Sequence, residues 1–337
     1  MHPLVAASIR QRAAAAEPAS NRRAHRTGQR GNPSTPPSDD ASPRSGPADV
    51  NQRGRVTAEV AIQTLAVAVD QLRHDDPRDW PTWIALVPHA HALLDNATQP
   101  LTTSGLDDLA FTMEKVARAL LWQGAEQGCA DLVEHTLDRT ARLGPDRRSV
   151  LQLRFLRANV MLLAGSAAGA ESQLREVLDL QEQLLSPQHP DALTTRHFIA
   201  RAVAVAGRHA EAEELFREVL ADRRGQLGEN HPDTLITRQF VAREMAAQGR
   251  AVEAEREFRE VLAARETTLG GDHLNTLATR HLLAKTIAEQ GRTAEAARVL
   301  RELLAARLRL LGPDHIDTRA TEDLLHRLPD PDPGSDG

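Results

Sequence analysis

The chain has 337 residues, 41% of them hydrophobic but only 3% aromatic, which is enough for a packed structure built on Leu, Val and Ala and poor in strand-forming aromatics. With Ala, Leu, Glu, Gln and Arg filling long stretches, an all-α fold is expected. The single cysteine, Cys129, excludes an intrachain disulfide or a multi-cysteine metal site and fits a reducing compartment. No run of about 18 apolar residues exists, and the first residues break into arginines before a signal core is complete, so a cytoplasmic protein without a membrane span is expected.

Residues 1–54 carry Pro33, Pro36, Pro37, Pro43 and Pro47 and little apolar periodicity, too little to offset the entropy of ordering, and are expected to be a disordered leader. Residues 1–55 hold nine Arg against four acidic residues, a balance of +5, leaving −11 for the rest of a chain whose net charge is −6. The arginines are scattered among Pro, Ser, Gly and Ala without interleaved aromatics. That argues against nucleic acid as the partner.

Residues 55–100 read as a helical hairpin. Its first helix runs from about Val56 to the break at Pro77, and its second from about Pro81 to Asn96, with a kink expected at Pro88. Residues 101–146 form a divergent hairpin capped at Thr103 or Ser104, with its turn at Gly124. Residues 147–328 are a repeat array ending in a capping helix, and 329–337 a disordered tail.

The array is set by His189, His231, His273 and His315, each 42 residues after the last. HPDALTTRHFIARAVAVAGRHAEAEELFREVLADRRGQLG (189–228) aligns with HPDTLITRQFVAREMAAQGRAVEAEREFREVLAARETTLG (231–270) and HLNTLATRHLLAKTIAEQGRTAEAARVLRELLAARLRLLG (273–312). In the unit at 189–230, Pro190 and Asp191 suit the first turn of a helix A. Gly207 ends that helix, and helix B runs from about Ala210 to Leu227. Ala200 and Ala212, 12 apart, should face each other across the hairpin with Phe216 beside them. Ala242, Ala254 and Phe258 repeat the arrangement, as do Ala284, Ala296 and Leu300.

This small–small–large spacing in a two-helix unit resembles tetratricopeptide repeats, and the 42-residue period with LGxxHPDTLxTR resembles the kinesin-light-chain type. The resemblance implies a right-handed solenoid whose A helices line a concave groove. The segment DDPRDWPTWIALVPHAHALL is similar to one preceding the repeats in actinobacterial NB-ARC (STAND) signal-transduction ATPases, and the Arg-over-Lys bias fits a high-GC bacterial genome. The chain has no GK pair and hence no phosphate-binding loop of that class, so what is present corresponds to the sensor arm. A separately encoded ATPase is the alternative partner.

In the family frame the inward positions are His197 and Arg201, then Gln239 and Arg243, then His281 and Lys285, with Arg327 from the capping helix. Arg201, Arg243, Lys285 and Arg327 make a basic line, for which an acidic peptide or protein ligand is expected. A second ladder, Arg154, Arg196, Arg238 and Arg280, should pack between hairpins and reach helix B carboxylates of the preceding unit such as Glu176, Glu218 or Glu260. The 42-spaced histidines lie at different levels of the stack and suit turns or caps rather than one metal site. Two residues apart on one helix, His89 and His91 diverge. Cys129 occupies a small-residue packing slot, and Trp80, Trp83 and Trp122 suit core anchoring, or else a docking patch. No motif for a catalytic centre or a cofactor is present, so a non-catalytic scaffold is expected.

Overall fold

The computed structural model describes residues 47–98 and 101–329, and side chains from Gln52 onward; the expected leader and tail therefore fall largely outside the described residues. Thirteen helices occupy the described residues: α1 Pro47–Asp70, α2 Trp80–Ala97, α3 Thr103–Trp122, α4 Glu126–Arg139, α5 Arg148–Leu163, α6 Ala167–Leu184, α7 Pro190–Val205, α8 His209–Leu227, α9 Pro232–Ala247, α10 Ala251–Thr268, α11 Leu274–Glu289, α12 Thr293–Leu311 and α13 Ile316–Arg327. They pair as six hairpins with α13 as a terminal cap. Two boundaries differ from expectation. α1 starts at Pro47 rather than near Val56, because a proline lacking an N–H is tolerated in a first helical turn. The cap of α3 is Thr102, whose hydroxyl accepts from Gly105 N at 3.1 Å.

The repeat histidines start helices by an unusual device. Nδ1 of His189, His231, His273 and His315 accepts the backbone N–H two residues on, at 3.1, 3.2, 3.1 and 3.1 Å. Each imidazole thus does what a Ser or Asp side chain does at an N-cap, satisfying a donor the helix leaves over. Gly228, at φ 88°, stops α8, whereas Gly225 continues it.

Between the two helical layers runs an almost continuous core. Ala200, Ala212, Phe216, Ala242, Ala254, Phe258, Ala284, Ala296 and Leu300 are each at most 1% exposed, so the alanines bring the A and B backbones close while the larger residue fills the adjoining space. Successive A helices also touch, α1 with α3, α3 with α5, α5 with α7 and α9 with α11, whereas among successive B helices of the described residues only the first pair, α2 with α4, makes comparable contact. The A layer is therefore the inner wall of the curve.

Two polar devices hold one hairpin to the next. The turn arginine of each unit reaches back to a helix B carboxylate of the preceding one: Arg208 to Glu171, Arg250 to Glu213 (2.8 Å) and Arg292 to Glu255 (2.7 Å). Deeper, Arg223, Arg265 and Arg307 are 4%, 1% and 3% exposed. Each donates to a threonine of the next A helix, Thr237 (2.8 Å), Thr279 (2.5 Å) and Thr321 (2.6 Å), and to the carbonyl of Asp233, Asn275 or Asp317. Burial without a carboxylate lowers the Arg265 pKa to about 10.

The stack curls far enough to meet itself. Asp75, in the loop after α1, lies 3.5 Å from His273 Nε2. The Trp80 ring stacks on His315 at 5.5 Å and 17°. A Cβ at Gly124 would stand 3.3 Å from Ile316 Cγ2. The N-terminal hairpins and the last repeats thus share a seam, where Trp80 also donates from Nε1 to the His74 carbonyl at 3.1 Å. Trp83, 2% exposed, is a core anchor. No described helix is long and apolar enough to cross a membrane.

Candidate functional site: the concave wall

Three sets of side chains 42 residues apart line the inner wall. Leu156, Phe198, Phe240 and Leu282 form an apolar row; Asn159, Arg201, Arg243 and Lys285 a polar one; Leu163, Val205, Ala247 and Glu289 an edge. They divide between two clefts. The first, of about 470 Å³, lies among α3, α5, α7 and α9, and the second, of about 330 Å³, among α7, α9 and α11.

In the first cleft the guanidinium of Arg201 sits 4.5 Å from the Phe198 ring centroid and 5.3 Å from that of Phe240. Arg201 has no hydrogen bond or ion pair with any described residue. Burial, and then the neighbouring Arg243, lower its pKa to about 10, so it remains charged at neutral pH. Arg243 lies 4.2 Å over Phe240 but is matched by the buried Glu244, with Nε 3.0 Å from Oε1. The other Glu244 oxygen is 2.8 Å from His209 Nδ1. Lys285 is exposed and 3.8 Å from Glu289. Of the three cations of the basic line that face the clefts, only Arg201 presents a charge unmatched by protein.

Of the remaining expected groove residues, His197 lies in the wall of the first cleft and the others line neither cleft. His197 is 3% exposed and packed between rings, with Phe240 at 4.8 Å and Phe216 at 5.0 Å. It is a wall-building residue and not an exposed contact, because its α7 position points at the next A helix, where Nδ1 is 3.4 Å from Thr237 Oγ1. His281 repeats this with Thr321 at 3.4 Å, and Gln239 Oε1 accepts from Thr279 at 2.9 Å and from the buried Arg265. All three close the joint between hairpins. Burial lowers the His281 pKa to about 4, with Arg307 adding to the effect, and pushes that of His197 well below 6.5. Arg327 is exposed in the last turn of α13 and lines neither cleft.

The second arginine ladder is paired as a structural element. Arg154 meets Glu176 at 2.6 Å and Arg238 meets Glu260 at 2.7 Å, each within its own hairpin rather than across to the preceding one. Arg196 and Arg280 do cross, to Glu182 (2.5 Å) and Glu266 (2.6 Å), not to Glu218. His91 diverges from His89 and instead approaches His135, with Nδ1 atoms 3.1 Å apart. Cys129 is 0% exposed, and burial raises its thiol pKa to about 12. Trp122 lines the first cleft.

Sequence reasoning missed the aromatic row and the buried arginines. Phe198 and Phe240 follow His197 and Gln239 by one residue in the same 42-residue frame, and Arg223, Arg265 and Arg307 share another, so the signal was present in both.

The tetratricopeptide repeat family model matches residues 156–224, 191–267 and 244–309. This span of the chain consists of tetratricopeptide repeats, in an all-α repeat fold. Similar solved structures include a Podosopora anserina kinesin light chain with nearly identical TPR-like repeats (28% identity, 59% of this chain and 94% of that one, TM-score 0.45). NprR in complex with its cognate peptide NprX is similar over 80% of this chain and 72% of that one (11% identity, TM-score 0.61). A Rap protein complexed with competence and sporulation factor aligns over 83% and 78% (13% identity, TM-score 0.50). No curated protein matches the chain.

Proposed function

We propose that this chain is a scaffold that holds an acidic peptide segment of a partner protein against the concave wall, with Arg201 as the principal anion contact and Arg243 and Lys285 further along. The observation that carries the reading is the unmatched Arg201 guanidinium. A cation held against two aromatic rings without a counter-ion offers an incoming carboxylate a charge-assisted, bidentate hydrogen bond in a partly desolvated setting. The wall is already assembled by core packing, so binding orders the ligand alone. The NprR structure, a similar helical stack holding a peptide, is in keeping with such use.

The test is an array of random peptides probed with the purified chain. Acidic peptides should be retained, and the double substitution Arg201→Glu with Arg243→Glu should abolish retention while leaving the far-ultraviolet circular dichroism spectrum unchanged. Equal retention by wild type and double variant would refute the groove as the binding surface.

A further inference from the structure

The first cleft has a second wall, supplied from the far end of the chain. Together with Arg118, Phe198 and Arg201, the cleft is lined by His315, Ile316 and Asp317, at the start of α13. They reach this place only because the stack turns back on itself at the seam, through Trp80 on His315, Asp75 near His273, and Ile316 against Gly124. An occupant of this cleft therefore meets both the A-helix wall and the start of α13.

Two aliphatic side chains stay open to solvent inside it. Ile316 is 59% exposed and Leu163 44%, and both line the same cleft as the unmatched Arg201. Single exposed aliphatics are ordinary on a protein surface. Two that share a cleft with one unpaired cation, one from α5 and one from α13, define a chemistry of apolar, anionic, apolar, since none of the carboxylates on the same lining, Glu126, Asp233 and Asp317, is ion-paired with Arg201. A cleft of about 470 Å³ has the capacity of a small-ligand site, which suits a few residues of extended chain and not a folded surface.

Resting on the groove reading above, we infer that the ligand is an extended segment in which an acidic residue is flanked by apolar ones. The acid lies on Arg201 and the flanks against Leu163 and Ile316, so that the seam is part of the binding site. The two walls divide the labour. The A-helix wall selects for charge, and the α13 wall completes the apolar contact and excludes water from around the ion pair, which strengthens it.

The experiment selects binders from a displayed random library of eight-residue peptides against the full chain. It then measures the enriched peptides by fluorescence anisotropy with wild type, Arg201→Gln and Ile316→Asn. Ile316 is mostly exposed, so its replacement leaves the fold in place, which circular dichroism verifies. The expected outcome is enrichment of an apolar–acidic–apolar pattern, with affinity reduced about tenfold by either substitution. Enriched peptides that are acidic but indifferent to Ile316→Asn would overturn the two-walled site and leave the basic groove standing. Peptides that bind without any acidic residue would overturn this inference and the anion reading of Arg201 together. If no peptide is enriched, both this inference and the scaffold reading fall.

Discussion

Lowering the pH should loosen the joints between hairpins, and His281 allows the size of the effect to be worked out. Burial, followed by the charge of Arg307, brings its pKa from 6.5 to about 4. The unfolded chain takes up a proton there below about pH 6.5 and the folded chain only near pH 4, so stability is lost as the pH falls through that window. Between pH 7 and pH 5 the loss from this one imidazole is about 2 kcal/mol. His197 acts in the same direction, since its pKa also lies well below 6.5. The equivalent position in the intervening unit is Gln239, which makes the same bond to the next threonine without titrating. Urea denaturation followed by circular dichroism at the two pH values should therefore show His281→Gln losing about 2 kcal/mol less than wild type, with similar stability at pH 7. An identical pH dependence in the two proteins would mean that His281 is solvated in solution, and the account of the joint would fail.

Phe216→Ala removes a ring with 0% exposure and should cost about 3–5 kcal/mol in the same assay, and Phe258→Ala a similar amount, whereas Val252→Ala at a 73% exposed site should cost almost nothing. A loss under about 1 kcal/mol at Phe258 would mean that the hairpin packing is wrongly assigned. Cys129 should resist a thiol-specific reagent in the native protein at pH 8 and react promptly in denaturant, because burial holds the thiol protonated; fast native labelling would contradict its packing role. Replacing the charge of Arg201 by Arg201→Met should leave stability nearly unchanged, since no described residue loses a hydrogen bond or ion pair and the apolar side chain still covers the Phe198 and Phe240 rings, while acidic-peptide retention falls; a marked drop in melting temperature would show that the side chain braces the wall.

Much of the fold was legible because the repeat imposes local rules. Starts of the repeat A helices follow from a histidine and the polar residue two positions on, helix ends from glycines such as Gly207 and Gly228, and the core from Ala200, Ala212 and Phe216 at spacings that recur every 42 residues. These features depend on neighbours within one unit, and a linear string records such neighbours directly. The groove was legible only in part. Arg201, Arg243 and Lys285 do line the clefts, but His197 is buried in the cleft wall, and Gln239 and His281, one helical turn from the cations, face the next hairpin; a few tens of degrees of helix rotation separate those fates.

The amino-acid order alone determined the helical class, the unit length, the capping residues of the 42-residue units and the small-residue contacts, because each is a short-range consequence of side-chain size and backbone preference. Tertiary structure alone decided which charges are matched and what else lines the cleft. Glu244 is a surface-type residue in the string and a buried counter-ion for Arg243 in the molecule, whereas Arg201 has none. Ile316 comes to line the same cleft as Arg201, 115 positions earlier in the chain, only through the accumulated turn of many hairpins. That turn is a sum of small rotations at every joint, and no single segment encodes it.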